Sequence, residues 1–187
     1  MEYIKKDLLP IETKRLILRL LDPEEANIMV SYLLENREHL RKWEPTRSEK
    51  YFNADYWRQE LQNRENAFYI GEAANLVIFP KEARKSLILG VCNFTNVMYG
   101  AFRACHLGYS IHKDYEGKGI MFEALSAATD FVSSVFNLHR IIANYMPRNE
   151  RSGLLLKRLG FTVEGFARDY LEINGKWEDH ILTSKIF

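Results

Sequence analysis

The stretch that determines the fold is HLGYSIHKDYEGKGIM, residues 106–121. It begins inside the segment 104–111, whose alternating pattern and strong strand formers predict a strand. Gly117 and Gly119 then predict a tight turn in which the backbone can approach a ligand closely. The helix predicted over 120–136 begins with N–H groups that lack intrahelical partners and carry a partial positive charge. Together, the strand, turn and helix favour a site for a diphosphate.

This glycine turn matches neither of two common nucleotide-binding motifs. The chain has no GxxxxGK[ST] sequence, and the third glycine of the dinucleotide-binding fingerprint is missing. A Gly-X-Gly sequence before a helix also occurs as an ordinary tight turn. From the residues alone, phosphate binding and a plain turn are therefore both open.

The segments before this stretch are predicted to form a strand, two helices and two further strands. Asp22 is expected to cap the first helix, with Pro23 at its first position, and Pro45 predicts a loop between the helices. The predicted elements are a strand at 13–21, a helix carrying the apolar stripe Ala26, Met29, Val30, Leu33 and Leu34, a helix from about Ala54, a strand from 68–73 toward Phe79, a charged loop at 81–86, a strand at 87–94 and a looser stretch at 95–103.

The segments after it are predicted to form a strand at 139–146, a short helix that ends at Leu159, and a hairpin. Gly160 is placed as the residue that ends the helix, and the AsnGly pair at 174–175 predicts the hairpin turn. This order mixes an antiparallel meander with a βαβ crossover. It predicts the α/β (α+β) class, with a central mixed, mostly antiparallel sheet flanked by helices.

The length and composition indicate one domain over residues 1–187. The 26 Lys and Arg residues nearly balance the 25 Asp and Glu residues, so direct nucleic-acid binding is not expected. Cys92 and Cys105 have neither zinc-ligand spacing nor a disulfide framework, so we expect buried reduced thiols and no metal. No apolar stretch has the length of a signal peptide or a membrane span, so we expect a soluble cytoplasmic protein.

The sequence EGKGIMFEAL, residues 116–125, resembles the acetyl-CoA loop of the GNAT superfamily, [RQ]-x-x-G-x-[GA]. Asp114 departs from that pattern, in which Arg or Gln is common. Residues 149–152 and 156–165 resemble a later helix start and the closing L-x-x-x-G-F pattern of the family. Further segments resemble the RimJ/RimL branch, and within it the ribosomal-protein-alanine N-acetyltransferases: 13–19, 36–45, 144–153 and 169–180. The resemblance implies a single GNAT-type N-acetyltransferase domain with a core of about 11–183.

The resemblance implies that acetyl-CoA is the cosubstrate and that the acceptor amine attacks it directly in a ternary complex. It also implies that the acceptor is the N-terminal alanine α-amine of a ribosomal protein. No membrane partner is expected, and a monomer and a homodimer are both open. The residues that it assigns to acetyl-CoA binding are Ser110, Ile111, His112, Glu116, Gly117, Lys118, Gly119, Ile120, Met121, Asn149 and Ser152.

The chemistry requires a carbonyl-polarising group and an acid. An N–H of Ser110 or Ile111 is expected to polarise the thioester carbonyl. Ser152 or Tyr145 is expected to protonate the departing thiolate. Each has a structural alternative, since Ser152 can be a helix-start hydroxyl and Tyr145 a packing residue.

The group that binds the amine or takes its proton is expected to be Glu44, whose alternative is a solvated loop carboxylate. His106 and Asp169 are further candidates, although a lone strand histidine is more often structural. An α-amine has a pKa of about 7.7–8.0, so roughly a tenth is already neutral near pH 7. Because no strong base is evident, the sequence favours an α-amine over a lysine side chain.

Three other interpretations stay open. The same chemistry can act on a small amine such as a polyamine, an amino acid or an antibiotic. The chain can be a non-catalytic ribosome-assembly protein on the same fold, or its turn can bind a phosphate unrelated to coenzyme A. A closed acceptor pocket would favour a small amine, and an open groove beside Trp43 and Glu44 would favour a peptide.

Overall fold

A computed structural model describes residues 4, 6–82 and 87–187 of the chain. In these ranges the chain forms one central sheet with α-helices packed on both faces. The elements are β1 (Ile11–Glu12), β2 (Leu16–Arg19), α1 (Ala26–Leu40), α2 (Ala54–Tyr69), β3 (Ala74–Pro80), β4 (Gly90–Met98), β5 (Ala104–Ile111), α3 (Ile120–Val135), β6 (Arg140–Ile142), α4 (Glu150–Arg158), β7 (Thr162–Ile173) and β8 (Lys176–Ile186).

The described strands are ordered β1-β2-β3-β4-β5-β6-β8-β7 across the sheet. Neighbouring strands are antiparallel except β5 and β6, which are parallel and joined through α3. The predicted fold class, a mixed and mostly antiparallel sheet flanked by helices, is therefore confirmed. No helix in the described part of the chain is both long and apolar enough to cross a bilayer.

Alternation along the strands divides the core between the two faces of the sheet. On β2, Leu16 and Leu18 are buried in the core that contains α3, whereas Ile17 packs against the core under α1 and α2. α3 fits closely because its buried side is lined by small and branched apolar residues: Ala124, Leu125, Ala128 and Val132.

The strand predicted from residue 68 is wrong, because Phe68 and Tyr69 form the last turn of α2. The Phe68 side chain is fully buried, and its ring centroid lies 5.9 Å from that of Phe136, just after α3. Gly71, at φ +77°, turns the chain away from the helix, and the strand starts at Ala74. A short apolar run fits either a strand or a buried helix end, so the pattern could not separate them.

Other predicted boundaries of strands and helices either shift by a few residues or are confirmed. Of the segment 13–21, Leu16–Arg19 is strand (β2), and β1 precedes the segment at Ile11–Glu12. β4 continues to Met98, so part of the looser stretch predicted at 95–103 is strand. The charged loop predicted at 81–86 lies partly outside the described residues. Gly160 ends α4 at φ +86°, and the AsnGly hairpin turn is present, so both predictions are confirmed.

The inner face of α1 is more polar than its predicted apolar stripe. Leu34 of that stripe is 51% exposed, whereas Tyr32 and Asn36 are buried. The Asn36 side chain donates to Tyr32 O (2.7 Å) and accepts from the Lys113 N–H (2.9 Å). These bonds fix α1 against the loop that follows β5.

The parallel pair β5–β6 opens into a gap. Pairing joins only Ala104, Cys105 and His106 to β6. The chain then turns toward β8, so the strand predicted at 139–146 already ends at Ile142. The rest of β5 therefore has a neighbouring strand on its β4 side alone.

The direction of the backbone groups on β5 follows from one contact just beyond its end. The His112 N–H donates to Leu89 O (2.8 Å), on the β4 side. Since these groups alternate along an antiparallel ladder, the Ser110 N–H also faces β4. The N–H and C=O groups of Tyr109 and Ile111 consequently face the gap.

Candidate active site

The glycine loop joins β5 to α3 at the wide end of the gap. Gly117 and Gly119 have φ values of +71° and +72°, in the left-handed region that glycine adopts without strain. Gly119 is the N-cap of α3, so the first free N–H groups of the helix begin at Ile120. A Cβ at Gly117 would meet no atom within 4 Å, so the loop surface is open. Loop and helix end together fit a diphosphate.

Arg15 braces this loop from the opposite side. Its Nη1 donates to Lys118 O (3.1 Å) and its Nε to the Glu123 carboxylate (2.6 Å), which also accepts from the Thr13 hydroxyl (2.7 Å). Burial opposes ionisation, but these hydrogen bonds hold the pKa of Glu123 below its usual range. The negative charge in the first turn of α3 is therefore neutralised, and a guanidinium stays beside Gly119.

Two predicted coenzyme residues use their side chains to position the loop. The buried His112 ring accepts from a backbone N–H two residues on (3.2 Å), and its Nε2 lies 3.2 Å from the Glu35 carboxylate. The Glu116 carboxylate contacts Arg151 and lies 3.2 Å from His39 Nε2. These contacts tie the loop to α1 and α4.

A pair of hydroxyl groups lies between β5 and α4. Tyr109 Oη and Ser152 Oγ are 2.6 Å apart, and the Ser152 N–H donates to the side chain of Asn149, the N-cap of α4 (3.3 Å). Burial raises the pKa of Tyr109 to about 12, so this phenol keeps its proton at neutral pH. Tyr145, which was predicted as the acid alongside Ser152, is near enough to this pair to contribute to the raised pKa of Tyr109. The arrangement can pass a proton from one hydroxyl to the next.

The Tyr145 ring packs directly on Gly153 of α4. A Cβ at Gly153 would lie 2.8 Å from two ring carbons and 2.9 Å from the hydroxyl of Tyr145. Alanine normally stabilises a helix relative to glycine by about 1 kcal/mol. Here the clash is expected to dominate, so Gly153→Ala should lower the free energy of unfolding by about 1–3 kcal/mol in urea denaturation.

The matched control uses a smaller neighbour. In a Tyr145→Leu background, Gly153→Ala is expected to be neutral or stabilising, because the ring is gone. If Gly153→Ala stabilised the wild-type chain, the Tyr145 ring could not pack directly on Gly153.

The opposite face of β5 carries a second polar cluster, under α1. Tyr32 Oη lies 2.9 Å from Ser110 Oγ. Burial is the main cause that raises the pKa of Tyr32, and the Glu44 carboxylate adds to it, so Glu44 lies near this pair. Burial also raises the pKa of Glu44 itself, against the opposing charge of Arg47 at 3.9 Å.

Glu44 lines a groove of about 320 Å³ between α1, the loop after it and the turn of the β7–β8 hairpin. The Asn174 N–H in that turn donates to Glu44 O (3.0 Å), and Arg148 Nη2 donates to Lys42 O (3.3 Å). The hairpin and the loop are therefore held together.

Of the two further base candidates from the sequence, His106 lies on β5 beside the gap, whereas Asp169 lies on β7. Asp169 is exposed on β7, which β6 and β8 separate from β5, and its N–H donates to Asp179 (2.9 Å), so it does not join the groups around the gap. Cys92 and Cys105 are buried free thiols, as predicted, and burial raises the pKa of both. Neither thiol is suited to act as a nucleophile.

A strand gap, a glycine loop at a helix N-terminus and a hydroxyl pair beside the gap are features that suit an acyltransferase site. The chain belongs to the acetyltransferase (GNAT) family, whose domain model matches residues 15–162. It is an acetyltransferase, as the sequence predicted.

The chain is 44% identical over 180 residues to the Escherichia coli [Ribosomal protein uS5]-alanine N-acetyltransferase, covering 93% of this chain and 89% of that protein. The ribosomal-protein-S5-alanine acetyltransferase of Vibrio fischeri has a similar structure, with a TM-score of 0.90, 40% identity and coverage of 95% and 96% of the two chains. Mycobacterium smegmatis RimJ in complex with CoA-disulfide matches with a TM-score of 0.83, 28% identity and coverage of 91% and 81%. The RimJ/RimL resemblance is thus confirmed.

Proposed function

We propose that this acetyltransferase transfers the acetyl group of acetyl-CoA to the N-terminal alanine α-amine of a ribosomal protein, by direct attack in a ternary complex. The observation that carries the proposal is the 44% identity, over 93% of the chain, with the E. coli enzyme whose name states that acceptor. The open groove beside Glu44 supports a peptide end rather than an enclosed small amine. A ribosomal acceptor implies work in the cytoplasm.

Acetyl-CoA supplies the activated acetyl group, and this chain has backbone groups suited to hold it. The open loop at Gly117 and the N-terminus of α3 would bind the diphosphate through N–H groups, and Arg15 would neutralise the Glu123 carboxylate beside them. The gap-facing N–H groups of Tyr109 and Ile111 would bind the pantetheine arm and polarise the thioester carbonyl. Ile111 keeps its predicted role, whereas the Ser110 N–H faces β4 and Tyr109 takes its place.

Proton delivery to the leaving sulfur is assigned to Ser152, with Tyr109 behind it at 2.6 Å. A thiol of pKa about 8.5 leaves as a moderately stable thiolate, so one hydroxyl donor suffices. Tyr145 is a second candidate for the donor position because it neighbours the pair. Glu44 would attract the positively charged peptide end into the groove.

The test is calorimetric titration with acetyl-CoA, followed by an assay of free thiol. Acceptors to compare are a peptide that starts with alanine, the same peptide already acetylated at its N-terminus, and spermidine. We expect binding, thiol release with the free alanine peptide, and none with the blocked one.

The outcomes separate the alternatives. Thiol release with spermidine alone would replace the peptide acceptor by a small amine. Acetyl-CoA binding with no acceptor consumed would contradict the alanine acceptor, and no binding at all would contradict the acetyl-CoA site.

A further inference from the structure

Two buried polar atoms on the α1 side of the sheet lack a hydrogen-bond partner in the described part of the chain. They are Asn93 Oδ1 on β4 and His106 Nδ1 on β5. Buried polar atoms in proteins are nearly always paired, so an unpaired one calls for an explanation. These two atoms lie at diagonally neighbouring positions of the β4–β5 ladder, so both are available to a polar group that enters from outside the chain.

The two side chains flank an open patch of sheet. Asn93 pairs with Gly108 across the β4–β5 ladder, and His106 precedes Gly108 by two residues, so all three lie on one face. A Cβ at Gly108 would meet no atom within 4 Å, and the residue is exposed. Ser110, next along this face, is covered by the Tyr32 hydroxyl. We name this patch the Gly108 hollow, and its residues are Tyr32, Asn93, His106, Gly108 and Ser110.

The hollow lies at the closed end of the gap. His106 is the last β5 residue that pairs with β6, and the gap opens immediately after it. Alternation places the hollow and the Tyr109–Ser152 pair on opposite faces of β5. An acyl carbon held in the gap can therefore be attacked from the hollow while its sulfur departs toward Ser152.

The chemistry of the hollow matches a primary amine. Asn93 Oδ1 accepts hydrogen bonds, and His106 Nδ1 accepts one in the tautomer that carries the proton on Nε2. Burial lowers the pKa of His106, and among the described residues no ion pair joins its ring, so the imidazole is neutral at pH 7. Two acceptors at diagonally neighbouring positions of the β4–β5 ladder suit an N–H-rich group.

We propose that the Gly108 hollow holds the reacting amine, with Asn93 and His106 accepting its N–H groups and His106 taking its first proton. The inference deepens the proposed function, on which it rests. His106 passes that proton to water. The amine nitrogen then bonds to the acyl carbon and the C–S bond breaks. Ser152 gives a proton to the sulfur, and the second amine proton replaces it.

The first test fills the hollow without changing any polar group. Gly108→Ala is expected to raise the KM of the alanine peptide at least tenfold, because a methyl group occupies the amine position. The acetyl-CoA Kd and the urea midpoint should not change. Gly165→Ala is the matched control, since Gly165 is also in a strand and a Cβ there meets no atom within 4 Å.

The second test separates binding from proton transfer. His106→Asn keeps an acceptor oxygen but removes the base, so kcat/KM is expected to fall about tenfold at pH 7, where only about a tenth of an α-amine is neutral. The ratio to wild type should approach one by pH 9, as the free amine loses its proton unaided. His139→Asn, at an exposed histidine, should show no such pH dependence.

The results distinguish the proposed alanine acceptor from the proposed amine site in the Gly108 hollow. Unchanged KM in Gly108→Ala together with an unchanged pH profile in His106→Asn overturns the inference and leaves the alanine acceptor standing. If the wild type acetylates only a small amine, the acceptor proposal fails, and the same variants assayed with that amine decide the inference. If His106→Asn does not fold, Gly108→Ala decides it alone.

Discussion

Gly119→Val is expected to weaken acetyl-CoA binding by about a hundredfold or more. Gly119 has φ +72°, a conformation that a β-branched residue adopts only with strain. Relief of that strain would turn the loop and move the N–H groups at the start of α3. Hydrogen bonds to charged groups contribute about 1.5–3 kcal/mol each, so losing two of them costs at least a hundredfold in Kd. Calorimetric titration measures the change.

The control variant must introduce the same backbone strain at a glycine outside the loop that precedes α3. Gly100 has φ +73° and no atom within 4 Å of a Cβ, and it precedes β5 whereas Gly119 follows it. Gly100→Val is therefore expected to lose stability but keep the acetyl-CoA Kd. Equal affinity in wild type and Gly119→Val would show that the loop does not hold the diphosphate.

Ser152→Ala is expected to lower kcat about a hundredfold, with little effect on the acetyl-CoA Kd. General acid catalysis is typically worth about 10²–10⁴-fold, and the low end applies because a thiolate leaves readily. Tyr109→Phe should lower kcat less, since Ser152 would still face the sulfur. The double variant should be no slower than Ser152→Ala, because the two hydroxyls act as one unit. Steady-state thiol release measures all three.

Two further variants make this test specific. Ser126→Ala removes a helix serine whose hydroxyl donates to Phe122 O (2.8 Å), and kcat should stay at the wild-type value. Tyr145→Phe distinguishes the two tyrosines: if it slows the reaction more than Tyr109→Phe, then Tyr145 is the partner of Ser152. Wild-type kcat in Ser152→Ala would remove the hydroxyl pair from the mechanism.

The sequence predicted those parts of the fold and site that depend on local backbone preference. Gly117, Gly119 and Gly160 occupy left-handed positions that glycine favours, and the AsnGly pair forms its hairpin turn. The β5 strand and α3 follow their apolar periods almost to the residue. Local propensity and tertiary structure agree at these positions, so the sequence pattern alone was enough to predict the elements.

The parts that could not be predicted depend on contacts between distant segments. Tyr109 and Ser152 are separated by 43 residues, and Arg15 and Glu123 by 108, so no local spacing relates them. Tyr109 carried one usable signal, because strand alternation places it on the same face as Leu107, against α3 and α4. The end of α2 at Phe68 was missed because burial against Phe136, rather than propensity, determines that turn.

The gap between β5 and β6 also bears on how acceptor preference can change during evolution. The groups of Tyr109 and Ile111 that face the gap are backbone N–H and C=O groups, which any residue other than proline supplies. The neighbouring positions His106, Gly108 and Ser110 lie on the other face of the strand. Under the two proposals, mutation at those three positions would alter which amine is selected without changing the groups that bind acetyl-CoA. One strand would thus separate the choice of acceptor from the binding of the donor.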